Sequence, residues 1–197
     1  EPSAERRRSL PGDLPVPILV VGWRVPAGAH DDDAALDLAS TLLSSGNGAR
    51  LSRRLVIEDP VCLFAQAARD QRRDATLFWT AVAVRPGADS AAVEQKLISE
   101  VERLAGEPVP GDELDRARKR LELGLLSARQ TAGDRCQAIG AAQMIAGDWR
   151  DPDQQLKRLR SITPDDLQQA AARTLTAARR VVVWWTAAPR GAAGPEG

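Results

Sequence analysis

The last hydrophobic segment, Val181-Val182-Val183-Trp184-Trp185, most constrains what this chain can fold into. A short run of β-branched and aromatic residues reads as a strand. It arrives only after a long series of helical segments, and a strand needs neighbours to satisfy its backbone groups. It must return across a sheet begun near the start of the chain. That makes the chain one cooperative unit.

The other strands are Pro17-Ile18-Leu19-Val20-Val21-Gly22-Trp23-Arg24-Val25, closed by Pro26, then the stretches 61–67 and 75–84. The polar turn 69–74 between the latter two predicts an antiparallel hairpin. Ala35, Leu36, Ala39, Leu42 and Leu43 recur at helical spacing. Gly46 and Gly48 break that helix, and Leu51 and Leu55, joined by Val56, make the apolar face of a short one stopped by Pro60. Val93, Leu97, Val101 and Leu104 form a strong amphipathic stripe. After Pro110-Gly111-Asp112 the buried face is predicted as Leu114, Ala117, Leu121, Leu125 and Ala128. Gly133 interrupts, an alanine-rich helix runs through Ala138, Ala141, Ala142 and Ile145, and Gly147 ends it. Thr163-Pro164-Asp165-Asp166 starts another, with Thr at the N-cap and a carboxylate three residues on.

The order β-α-α-β-β-α-α-α-α-α-β predicts an α+β fold, a mainly antiparallel sheet with helices packed on one face. Residues 1–13 read as an extended, flexible polar lead-in, 14–188 as a single domain, and 189–197 as a flexible tail. No Gly/Ser/Pro stretch inside is long enough for an interdomain linker.

The 197 residues are 43% hydrophobic and 27% charged, globular proportions that exclude wholesale disorder. Twenty-seven basic residues balance 27 acidic ones, so no global field draws the molecule to nucleic acid or anionic lipid. Abundant arginine and alanine read as a GC-rich, bacterial genome. Cys62 and Cys136 lack ligand or redox spacing and read as two packed thiols. No apolar run has the roughly 20 residues that span a bilayer, and the polar stretch at residues 1–8 does not read as a signal peptide. We expect a cytoplasmic protein. Glu1 in place of a start methionine suggests a piece of something longer.

The single histidine, His30, precedes Asp31, Asp32 and Asp33. Consecutive helical positions are splayed about 100° apart and cannot all face one ion. With no second histidine, a zinc site is not predicted. No G-x-S-x-G turn supports a nucleophile, and no G-K-[ST] follows Gly46-Asn47-Gly48, so that segment reads first as a helix C-cap and turn. Arg50, Arg53 and Arg54 lie within one and a half helical turns. Such a cluster is a solvated face or a grip for an acidic or peptide partner. No residue set carries a complete reaction, and no catalytic or metal-binding residues are predicted.

The segments together resemble a known family. Trp23-Arg24-Val25-Pro26 with Gly28-Ala29-His30-Asp31-Asp32-Asp33 is similar to the opening of the C-terminal homologous domain of pitrilysin-type zinc peptidases, the inverzincin group that includes mitochondrial processing peptidase. Leu42-Leu43-Ser44-Ser45-Gly46-Asn47-Gly48-Ala49-Arg50-Leu51 resembles its Gly/Ser run and Ser-Arg-Leu helix start. Val84-Arg85-Pro86-Gly87, Asp112-Glu113-Leu114-Asp115-Arg116-Ala117-Arg118 and Ile162-Thr163-Pro164-Asp165-Asp166-Leu167 resemble its later signatures in order. The resemblance implies a half-domain that closes, like a clamshell, with a zinc-bearing half over an extended peptide. In that other half, H-x-x-E-H holds zinc and its glutamate acts as general base. This chain departs from the catalytic pattern. Ala34-Ala35-Leu36-Asp37-Leu38-Ala39 carries neither histidine nor glutamate, and the Arg/Tyr pair often supplied near residues 76–89 lacks its tyrosine.

The resemblance therefore implies a non-catalytic half with zinc only in its partner half. Gly46, Asn47, Gly48, Arg50 and Arg53 are the residues expected to meet the peptide or the partner. Two alternatives remain: a scaffold domain of the same family with no peptidase role, and an unrelated enzyme using His30.

Overall fold

The computed structural model describes residues 4–26, 30–46, 48–73 and 76–187. Its elements run β1 (Arg6–Gly12), β2 (Ile18–Val25), α1 (Asp33–Ser44), the single turn α2 (Arg50–Ser52), a π-helical turn (Arg53–Glu58), β3 (Cys62–Asp70) and β4 (Thr76–Val84). Five helices follow, α3 (Ser90–Gly106), α4 (Gly111–Ser127), α5 (Ala132–Ile145), α6 (Asp151–Ser161) and α7 (Pro164–Thr174), then β5 (Arg180–Ala187). One sheet has the order β1-β5-β2-β4-β3.

The last strand does return. β5 pairs antiparallel with β2, Val20 opposite Val183, and β4 joins β2 and β3 antiparallel. Strand alternation then sorts the side chains. Leu19, Val21, Trp23, Phe78, Val82 and Val182 enter the core with Leu36, Leu38 and Leu43 of α1 and Val93, Leu97, Val101 and Leu104 of α3. Trp23 and Phe78 meet edge to face, centroids 6.1 Å apart, an arrangement worth about 0.5–1.5 kcal/mol beyond area burial. The odd-numbered residues of β2 and even-numbered ones of β4 thus face the helices. The opposite set, Val20, Trp79, Val183 and Trp185, stands outside that core.

Several expectations need correction. Residues 6–12 are not a free lead-in: β1 runs parallel to β5, Arg6 opposite Val181 and Gly12 opposite Ala187. Most of its side chains are exposed, so no hydrophobic alternation marked it. Backbone pairing holds it, with Glu5 bound by Arg180 at 2.5 Å and Arg7 paired to Glu94. Residues 50–58 start as an α-turn and widen into the π-turn, keeping Leu51 and Leu55 fully buried. The face of α4 is buried at Leu114 and Ala117, half-buried at Leu121 and Leu125, and exposed by Ala128. Gly133 lies inside α5, whose start is a Thr131–Asp134 capping box, and α5 buries no residue. Cys62 is a packed thiol, pushed up to about 11 by burial, but Cys136 is exposed. The predicted Thr163–Asp166 capping box is formed. The tail expected at 189–197 lies outside the described residues.

Arg69, read as part of a polar turn, is the chief correction. It belongs to β3, its side chain is 1% exposed, and it points among the helices. There it donates to Asp33 Oδ1 (2.8 Å) and, as a two-pronged fork, to Asp37 (2.8 and 2.9 Å). Paired charges survive burial only when so satisfied. Burial, above all, raises the Asp33 pKa, with Arg69 opposing. The folded chain therefore binds this proton more tightly than the unfolded one, and Asp33's contribution to stability falls as pH rises through the carboxyl range. Arg69→Met should cost roughly 3–5 kcal/mol at neutral pH. The deficit should shrink at acid pH as Asp33 protonates. Urea denaturation at the two pH values checks this, and an equal deficit at both would contradict the assignment.

Candidate functional site

A cleft of about 820 Å³ lies between the end of α1, the 50–58 segment, the C-terminal part of α3 and the first half of α4. Ser44 Oγ donates to the Ala67 carbonyl of β3 at 2.9 Å, fixing the end of α1. The helix then stops at Gly46, whose φ of 91° lies in the left-handed region that glycine adopts without strain. The Ala49 amide closes the turn on the Gly46 carbonyl at 3.0 Å.

Gly46 also lies against a flexible, exposed side chain that a larger residue would have to displace. A Cβ there would collide with the guanidinium of Arg120, which folds over the turn and donates to the Ser45 carbonyl. Gly48 lines the cleft, but a Cβ on it would meet nothing within 4 Å. Asn47, the third glycine-turn candidate, lies outside the described residues.

Arg50 enters the cleft wall already engaged. Its Nε and Nη2 donate to the two Glu113 oxygens at 2.9 and 2.8 Å, a bidentate pair that ties the 50–58 segment to α4. Its remaining Nη1 is buried with no acceptor among the described residues. Arg50 acts here as a strut. Arg53 is exposed on the π-turn, 3.1 Å from Glu58, with Arg54 beside it. Such turns recur at functional sites.

The opposite wall was not predicted. α4 contributes Arg116, Lys119 and Arg120, and α3 contributes Arg103. The charges of α4 recur three and four positions apart, the spacing of ordinary exposed ion pairs. Nothing local announced that Arg120 would reach a carbonyl 75 positions away.

Charges in the cleft are nearly matched. Seven cationic side chains and five carboxylates line it. Every carboxylate has an arginine: Glu113 with Arg50, Glu58 with Arg53, Glu100 with Arg54 and Arg103, Glu107 with Arg103, and Asp112 with Arg116. The Arg103 hydrogen bond holds the Glu107 carboxyl below its ordinary value, and Arg116 does the same for Asp112. Both are therefore anions near neutrality.

The His30 region is organised otherwise. The Asp32 amide donates to His30 Nδ1 at 3.2 Å, Asp33 turns to Arg69, and Asp32 lies 2.5 Å from Arg173. These carboxylates are committed to arginines, and α1 carries no histidine. The residues present do not fit a zinc centre. Among the described residues no three His, Cys, Asp or Glu side chains group to hold a metal, and no helix is long and apolar enough to cross a membrane.

Comparison with known proteins agrees with this architecture. Residues 1–121 match the family described as the peptidase M16 inactive domain. A zinc protease, PqqE, of Helicobacter pylori is 25% identical over 116 residues, covering 59% of this chain and 26% of its own length. The crystal structure of a protease from Helicobacter pylori superposes with a TM-score of 0.86 at 20% identity, over 94% of this chain and 44% of that one. The inactive peptidase domain of a candidate zinc protease from Bordetella parapertussis gives 0.78 at 26% identity, over 86% of this chain and 92% of that one. The chain belongs to the peptidase M16 inactive domain family. It spans less than half the length of the two Helicobacter relatives.

Gly46→Ala should destabilise the chain by about 1–2 kcal/mol from the left-handed backbone alone, with a smaller cost added as the Arg120 guanidinium is displaced from the Ser45 carbonyl. Arg120→Ala should relieve the second part only. A double-mutant cycle by urea denaturation checks this; simple additivity of the two substitutions would remove the Gly46–Arg120 contact from the account.

Proposed function

We propose that this chain is the non-catalytic half of a pitrilysin-like zinc peptidase, pairing with a homologous zinc-bearing half to enclose and hold an extended peptide. The observation that carries the reading is an inactive M16 domain spanning 44% of a relative, with one face of its sheet left outside its own core. Val20, Trp79, Val183 and Trp185 form a half-buried apolar face, and α5 buries no residue against the rest of the chain. A homologous partner half could cover such surfaces. Zinc and its activated water would belong to that partner. This chain would contribute an enclosing wall, with Gly46, Asn47, Gly48, Arg50 and Arg53 at the peptide or partner side.

Mixing the chain with its zinc-bearing half should give a one-to-one complex that cleaves peptide and stops when zinc is chelated, while the chain alone cleaves nothing. Trp79→Glu should leave the chain folded, since Trp79 stands outside the core, yet abolish the complex. Stoichiometric zinc and chelator-sensitive cleavage by the chain alone would overturn the reading. A complex that forms but holds no peptide would mark a scaffold domain instead.

A further inference from the structure

The cleft has a chemical preference that its position alone does not give. Its five carboxylates are all held by arginines, and two cations are left over. Lys119 has no ion pair among the described residues, and Arg120 meets only the Ser45 carbonyl. Both are exposed on one wall, and Arg53 and Arg54 are exposed on the other. An incoming cation would find every carboxylate engaged and would have to break an ion pair. An incoming anion finds two cations with no carboxylate partner among the described residues, Lys119 and Arg120, and can share Arg53 and Arg54 with Glu58 and Glu100.

We propose that this cleft binds an acidic stretch of an extended peptide, its carboxylates seated on Lys119 and Arg120 and reached from the other wall by Arg53 and Arg54. The volume of about 820 Å³ suits several residues, within the roughly 300–1,000 Å³ usual for ligand sites. Arginine forks match carboxylate geometry, and lysine adds a compact charge. Nucleic acid fits less well. Carboxylates are interleaved with the cations, and among the described residues no aromatic side chain lines the cleft to stack a base. Gly46 is part of the device: without a Cβ it lets Arg120 lie across the turn at the cleft rim. The inference rests on the preceding reading only in taking the ligand to be a peptide.

The test is fluorescence anisotropy on the intact chain with labelled peptides of equal length, one Glu/Ser-rich, one Gly/Ser-rich and one Lys/Ser-rich, and a single-stranded oligonucleotide. The acidic peptide should bind at least about tenfold more tightly than the others, with affinity falling as salt rises. The double substitution Lys119→Gln, Arg120→Gln should erase that preference. Arg120→Lys should retain most of it, and Arg135→Gln, outside the cleft on α5, should change nothing. Circular dichroism of each variant separates lost binding from lost folding. Equal binding of all three peptides, preference for the basic peptide or the oligonucleotide, or an acidic preference untouched by the double substitution would overturn the proposal. Peptide held with the zinc-bearing half but without charge preference sinks this inference and leaves the pairing intact. Acidic-peptide binding by a chain that forms no complex with that half does the reverse.

Discussion

Much of the structure depends on how α1 is fixed to β3. The Arg69 guanidinium reaches off the strand into the helical layer and holds Asp33 and Asp37 on successive turns of α1. At the other end, Ser44 reaches the Ala67 carbonyl. Two attachments set both the direction and the end point of the helix. The end point matters most, because the turn at Gly46 follows directly and leads into the 50–58 segment that lines the cleft. A buried guanidinium is costly unless all its partners are in place, so the arrangement tolerates little slippage along the strand.

The second organising fact is one-sidedness. Residues of the helix-facing set of β2, β4 and β5 meet α1 and α3 in a continuous core. The other set is apolar as well, with two tryptophans, and stays outside it. The chain matches a family of inactive peptidase domains over part of longer relatives, and the pairing proposed above would use that second face. The acidic residues of α1, Asp33 and Asp37, are both spent on Arg69.

Legibility in the sequence followed burial and locality. The α3 stripe of Val93, Leu97, Val101 and Leu104 was readable, and all four are fully buried, because helical spacing and core exposure coincide there. The Thr163 capping box was readable because both halves of its interaction lie within one turn. β1 was not, since its seven residues are mostly exposed, begin with three arginines, and become a strand only on the edge of β5. α5 showed helical composition but no hint that its sides would be left bare. In the site, Gly46, Gly48, Arg50 and Arg53 were singled out from one contiguous stretch. Lys119 and Arg120 were missed because their relevance arises across the cleft. Arg50 changed meaning once Glu113 was found holding it.

By itself the sequence determined the alternation of strands and helices, the α+β class and the glycine turn, because these rest on periodicity, capping and backbone freedom within a few residues. It also determined the lack of a metal-binding helix pattern. Only the tertiary structure decided that Arg69 is a buried tie, that the first strand is parallel to the last, and that two walls of arginine and carboxylate enclose a cleft with cations to spare. Those outcomes join residues tens to more than a hundred positions apart. Their energies come from desolvated charge and shared strand edges, which no local window of sequence contains.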